Sequence, residues 1–216
     1  MLLAPRRKPL SASVAADPMP RAKQRTPELR DRVLLHAVDL LARDGVTGFT
    51  ARRIAREAAT SIPAVYELFG DKAGLLREVF FEGFRLLRQR LDELPRTDDP
   101  RADLIALADA YRDFIHKHPV LAQLMFSRPF ADFDPNESEL RAGASVRKLI
   151  VERVRAAIDA DVLRGDATDL SHIFVATVQG LAAADLDGRL GSSRASIDRR
   201  WRLAIDAMIA GFGSAL

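Results

Sequence analysis

The sequence predicts an all-α protein of about nine helices, on the strength of three features. Apolar residues recur at three- and four-residue spacing along most of the chain from Leu29 to Phe212. Good N-cap residues open these patterns, some with a first-turn proline behind them, as in Thr26-Pro27-Glu28 and Ser61-Ile62-Pro63. Short breaks rich in Gly, Pro and Asp close them, at 45, 70–71, 95–100 and 164–166.

Residues 1–25 hold four of the eleven prolines and no apolar period, so they read as a disordered basic arm. Their six cations, Arg6, Arg7, Lys8, Arg21, Lys23 and Arg25, stand against Asp17 alone, a net of +5 in a chain whose total is +3. Residues 26–75 are balanced and the remainder is slightly acidic. The first helix then runs from Thr26 to Gly45 with Leu29, Val33, Ala37, Leu40 and Leu41 on one face.

Residues 50–72, TARRIAREAATSIPAVYELFGDK, hold two short helical patterns with a break between them too tight for a loop. Thr50 caps the first, and Ile54, Ala55, Ala58 and Ala59 form its small apolar face. Ser61 caps the second, which runs on through Val65, Tyr66, Leu68 and Phe69. With only about two residues between them, Ala59 and Thr60, the helices must cross at roughly 90 to 120°, the geometry of a helix-turn-helix. Val65, Leu68 and Phe69 then hold the second helix inward. Ser61, Ile62, Ala64, Tyr66 and Glu67 face out.

The stretch from about 28 to 80 resembles the DNA-binding signature of the TetR family of bacterial transcriptional regulators. Thr50, Ile54-Ala55, Ala58, Ser61, Val65-Tyr66, Phe69, Lys72 and Leu75 carry the likeness, with the leader from Arg32 to Gly45. Ala59 stands where the family usually has Gly, Thr60 where it has Val, and Glu67 where a neutral or basic residue is commoner. A carboxylate facing phosphate is repelled, so Glu67 either points aside or meets a cytosine amino group. The residues expected at the duplex are Thr50, Arg52, Arg53, Ser61, Ile62, Ala64, Tyr66, Glu67 and Lys72. The basic arm is expected either to lie along a groove of the duplex or to be a leader ahead of a start at Met19.

A fourth helix, about Ala73 to Leu94, has an apolar stripe of Leu75, Leu76, Val79, Phe80, Phe84, Leu87 and Leu91, longer than a three-helix domain needs. It marks the passage from a domain at 26–72 to a second at 73–216. After the 95–100 break, with Asp98 and Asp99 as cap and solvated turn, a helix runs from Arg101 to Lys117 and a short one from Val120 to Phe126. Residues 127–136 form a loop, and Asn136 caps a helix to about Ala160. Thr168 caps the next, and Ser196 to Phe212 is the last.

Small residues at Ala176, Gly180, Ala183 and Ala184 invite close approach of another helix. With Trp201, Ile205, Met208 and Phe212 they are the expected homodimer interface, a four-helix arrangement. The C-terminal half is loosely similar to a Trp-His-Gly subclass of TetR effector domains: Gly180-Leu181-Ala182 fits, and Val175 and Gln179 stand at the Trp and His positions. The expected effector pocket comprises Tyr111, Phe114, Met125, Phe126, Phe130, Phe133, His172, Phe174 and Gln179.

Composition narrows the chemistry. With no cysteine there is no disulfide and no thiolate site, and His116 and His118, two apart, face different sides of a helix. No metal, cofactor or catalytic set is expected. No apolar run spans a membrane and no signal-peptide pattern opens the chain, so a cytoplasmic protein is expected. The resemblance implies a regulator, in the first instance a repressor, bound as a dimer to palindromic double-stranded DNA and released by a small, mostly apolar effector. The competing reading is a helical ligand-binding or scaffold protein without DNA binding.

Overall fold

The computed structural model describes residues 26–126 and 137–213. These form nine helices: α1 Pro27–Gly48, α2 Ala51–Glu57, α3 Ile62–Phe69, α4 Lys72–Asp92, α5 Pro100–Lys117, α6 Pro119–Phe126, α7 Glu137–Asp159, α8 Ala167–Leu186 and α9 Arg194–Gly213. The basic arm, the 127–136 loop with Phe130 and Phe133, and the Asn136 cap lie outside the described residues.

Most of the predicted caps form. Backbone N–H groups three residues on donate to Thr26, Thr50, Ser61, Asp71 and Asp99, at 3.3, 3.4, 3.2, 2.7 and 3.0 Å. The cap of α8 comes two residues earlier than expected. Asp166, not Thr168, accepts from the N–H groups of Thr168 and Asp169 at 2.8 and 3.0 Å, because a carboxylate at that position satisfies two orphan donors at once. Gly45, with φ +63, breaks α1 where the sequence ends it, and one further turn carries the chain to Gly48.

Three helices end alike. In α2, the Thr60 N–H reaches back to the Ala55 carbonyl (2.8 Å) and the Ala59 N–H to Arg56 (3.2 Å), with Ala59 left-handed at φ +50. The ends of α7 at Asp161 (φ +55) and α8 at Gly188 (φ +68) repeat the pattern. This closure favours glycine at the left-handed residue. At Ala59 the side chain sits where only its absence is free of strain, which fits the position's usual Gly. Relief of about 1–2 kcal/mol of strain should exceed the roughly 0.4–1 kcal/mol of extra unfolded-state entropy. Ala59→Gly is therefore expected to raise the urea midpoint modestly, and a lowered midpoint would contradict the strain.

One apolar core runs through the described chain. α1 packs on α2, α4 and α6, α4 also on α5, α6 and α7, and α8 on α5, α7 and α9. Helices α1 to α3 are thus seated on the rest of the chain through α4 and α6 rather than tethered by a linker. Phe49, fully buried beside Leu40 and Ile54 in that core, closes the α1–α2 turn. Within α4 the buried set is Leu75, Leu76, Val79, Phe81, Leu87 and Leu91; Phe80 and Phe84 of the predicted stripe are half-buried.

Two buried arginines tie the second domain together, and neither was evident from the apolar pattern. Arg153 of α7 donates to the Leu94 and Pro95 carbonyls, both at 2.8 Å, and to Asp103 Oδ2 at 3.1 Å, closing the end of α4. Arg112 of α5 donates to Asp185 of α8 at 2.9 Å and to Asp198 of α9 at 2.9 Å, and lies 4.8 Å from the Trp201 ring centroid. His116 reaches the same Asp185 oxygen at 2.6 Å. No described helix is long and apolar enough to cross a membrane, and the described residues hold no group of three metal-ligating side chains.

Candidate nucleic-acid interface and ligand cavity

The short helix α3 is held by Val65 and Phe69, both buried, with Ile62 and Leu68 half-buried against the core. Arg30 of α1 lies over the Phe69 ring at 5.3 Å and pairs with Glu78 of α4 at 2.6 Å, so α3 is clasped from both sides. Arg32 of α1 donates to the Ala58 carbonyl at 3.0 Å and covers the C-terminal end of α2. What α3 leaves in solvent is Ser61, Pro63, Tyr66 and Glu67, with Ala64 half-buried and Tyr66 42% exposed. That outward set agrees with the sequence reading at Ser61, Tyr66 and Glu67; Pro63 was not singled out, Ala64 is half-buried, and the Ile62 side chain is shared between surface and core. Its apolar bulk gains more by covering the α3 base than by facing water.

The cations around this face divide sharply. Arg53 folds back onto α1, ion-paired with Asp44 and 3.5 Å from the Gly48 carbonyl. Together with the Arg43–Glu57 pair at 2.5 Å it straps α2 to α1, so its guanidinium is already engaged. Arg52, Arg56 and Lys72 are exposed and have no ion-pair partner among the described residues. Arg56 was not singled out in the sequence, yet it stands one turn from Arg52 on the same face; i and i+4 spacing was the available signal. Thr50 is exposed and its hydroxyl is used in the α2 cap.

A cavity of about 390 Å³ lies between α4, α5, α6, α7 and α8. Of the expected pocket residues, Tyr111, Phe126, His172 and Gln179 line it. Phe114, Met125 and Phe174 do not: they are buried in the core instead, Met125 against Gly83 of α4. Aromatic type alone cannot tell a wall from a core. Phe84 and the α7 series Gly143, Val146, Arg147 and Ile150 complete one side, Ser171, Val175 and Ala176 of α8 the other. The α7 series falls at i, i+3, i+4 and i+7, one helix face, and that spacing was the available signal for it.

Tyr111 and Phe126 stack with centroids 5.8 Å apart, and Phe84 meets Phe126 edge-on at 6.4 Å. The Gln179 amide donates to the Tyr111 hydroxyl at 2.7 Å. Burial pushes the Tyr111 phenol well above its ordinary value and the Gln179 bond pulls it down less, so the hydroxyl keeps its proton. The His172 Nδ1 donates to the Thr168 carbonyl at 2.8 Å, which leaves Nε2 as its other polar atom. Arg147 is exposed at the rim with no partner among the described residues, and no Asp or Glu is among the described lining residues.

α8 and α9 each leave an apolar strip in solvent: Ile173, Ala176, Gly180, Ala183 and Leu186 on α8, Leu203 and Ala207 on α9. Ile173 is 47% and Leu203 66% exposed, large for aliphatic side chains. A Cβ built at Gly180 meets nothing within 4 Å. The expected interface therefore needs correction. Trp201 and Ile205 are 1% exposed within their own chain, Trp201 donating its indole N–H to Asp109 at 2.8 Å. The richer stripe of α9 serves the chain's own core, and periodicity alone does not separate it from an intermolecular face. Ala184, Met208 and Phe212 are half-buried.

Residues 33–79 match the family described as bacterial regulatory proteins, tetR family, and residues 104–208 match the tetracyclin repressor-like C-terminal domain. The chain is 31% identical over 99 residues to the HTH-type nicotine-responsive transcriptional repressor HdnoR of Paenarthrobacter nicotinovorans, covering 46% of this chain and 50% of that relative. It thus spans about half the length of the curated relative it matches. A protein of unknown function from Rhodococcus sp. RHA1 is 30% identical with a TM-score of 0.76, over 88% of this chain and 98% of that one. A TetR variant from Acinetobacter baumannii AYE in complex with minocycline has the same fold at 20% identity and a TM-score of 0.57, over 83% of this chain and 93% of that one.

Proposed function

This chain belongs to the TetR family of bacterial regulatory proteins, and from that premise we propose that it is a DNA-binding transcriptional regulator rather than an enzyme. It acts as a homodimer in the cytoplasm, a repressor released from a palindromic operator by a small, mostly apolar effector. The observation that carries the reading is α3, a stubby helix held by Arg30 of α1 over its Phe69 ring, with Ser61, Tyr66 and Glu67 outward. One such helix reads too few base pairs for specificity. Two of them set about 34–36 Å apart read an inverted repeat with additive energy.

Phosphate contact falls to Arg52, Arg56 and Lys72, with the basic arm adding charge. Arg53 contributes only if it exchanges Asp44 for phosphate. The apolar strips of α8 and α9 join two copies. The cavity receives the effector, as the relatives named for nicotine response and solved with minocycline encourage. α4 lines the cavity with Phe84 and begins at Lys72 beside α3, so a ligand that prefers one position of α4 shifts the population of DNA-competent dimers.

Glu67 favours the second reading, a ligand-binding protein without DNA binding, since the outward face of α3 holds a carboxylate and no cation. A gel shift on inverted repeats from the DNA flanking the gene decides between them. Retardation that weakens with salt supports the regulator; no retardation at low ionic strength ends it. Arg52→Ala, Arg56→Ala and Lys72→Ala, each removing one contact from both protomers, are each expected to lower the log–log salt slope by about 2 while weakening all sequences alike. Unchanged slopes in all three would show that α2 and α4 do not face the backbone.

A further inference from the structure

We propose that the cavity takes a flat aromatic molecule carrying a carboxylate, the anion on Arg147 at the rim and the rings inward. The inference rests on reading this cavity as the effector site. Charge carries it first. Arg147 is the cavity's exposed guanidinium, and no carboxylate of a described residue pairs with it, whereas Arg141 and Arg153 of the same helix are ion-paired with Glu137 and Asp103. With no Asp or Glu among the described lining residues, a cationic ligand meets Arg147 and finds no counter-ion, while an anion gains a charge-assisted hydrogen bond.

Shape and polarity then fix the body. Phe84, Tyr111 and Phe126 turn faces and edges of three rings to one space, Tyr111 and Phe126 only 24° from parallel, which suits a planar aromatic guest better than a flexible chain. At the buried side the Tyr111 hydroxyl accepts from Gln179 and so keeps its own proton to donate, while Gln179 Oε1 has no donor among the described residues. A ligand hydroxyl, which both accepts and donates, can satisfy both atoms. The recognition is thus polar at two points and aromatic between them.

Calorimetric titration of the full-length protein with three near-isosteric probes tests this: naphthylacetate, naphthylacetamide and naphthylethylamine. Naphthylacetate is expected to bind at least about tenfold more tightly than the other two, a difference typical of one charged hydrogen bond. Arg147→Ala should level the acid with the amide, and Arg147→Glu should bring the amine to the front. Both substitutions are at an exposed position, and a circular dichroism melt confirms folding. An amine or amide that binds wild type as well as the acid, three probes that all fail to bind, or an order indifferent to Arg147 overturns the proposal. Retardation of DNA without ligand is measured in parallel: its absence defeats the regulator reading and leaves the order of the probes to stand or fall by itself.

Discussion

On the proposed dimer, joined along the α8 strip, Gly180→Arg is expected to leave the chain folded, convert dimer to monomer, and weaken binding to the proposed operator by roughly a hundredfold or more. The effect is large because the site is empty in one chain and crowded in two. A Cβ there touches nothing within 4 Å, so an arginine side chain extends into solvent from a single protomer. In a dimer built on the α8 strip it is driven between Ala176 and Ala183 and the partner's matching surface, burying a charge without a counter-ion. Loss of the second reading head removes about half of the specific binding energy, which is worth orders of magnitude in affinity. Sedimentation equilibrium reads the assembly and a gel shift the affinity. A variant that sediments as a dimer moves the interface elsewhere.

Removing Asp185 is expected to cost stability on a similar scale. Arg112 is 6% exposed and Asp185 8%, and their contact joins α5 to α8 while Asp198 joins α9. Asp185→Ala strands a buried guanidinium with one half-solvated partner, at a cost of about 3–5 kcal/mol. Replacing both, Arg112→Met with Asp185→Leu, should recover most of that, because the pair's attraction is largely spent on its own desolvation. Urea unfolding of the three proteins separates the two effects. If the single variant loses less than the double, the pair is not behaving as a buried ion pair.

The same carboxylate gives a pH dependence. Burial raises the Asp185 pKa, but hydrogen bonds from Arg112 and His116 outweigh it and hold the group below the usual carboxylate range. A depressed folded value means the contribution is complete above the unfolded value of about 3.9 and fades as pH falls through the folded one. Asp185→Asn should therefore flatten the acid limb of the stability curve below about pH 4. Stability near neutrality falls too, since Arg112 loses its charge partner.

Local chemistry made the reading half of the chain legible. Thr50, Ser61 and Asp71 are caps with one satisfactory geometry each, and the turn of four residues, 58–61, between α2 and α3 is short enough to be read as a tight break, though two residues longer than the sequence suggests. The second half resisted because its decisive contacts are long in sequence. Arg112 meets Asp185 and Asp198, and Arg153 meets Leu94, across separations that no window contains. Trp201 was assigned outward because an amphipathic helix advertises an apolar stripe without naming which molecule covers it. Arg147 went unremarked for the opposite reason: a charged residue between Val146 and Ile150 looks like ordinary solvated surface until the cavity beside it is seen.

The grip of Arg153 on the Leu94 and Pro95 carbonyls fixes the far end of α4. A rod pinned at one end and nudged near its middle swings most at the other. With about 1.5 Å of rise per residue, Phe84 lies roughly 12 Å from the pin and Lys72 roughly 30 Å. On the proposed reading, a nudge of about 1 Å by a guest against Phe84 becomes more than about 2 Å where α4 meets α3, in opposite senses for the two protomers of the proposed dimer. The pivot amplifies without any part of the helix having to unwind.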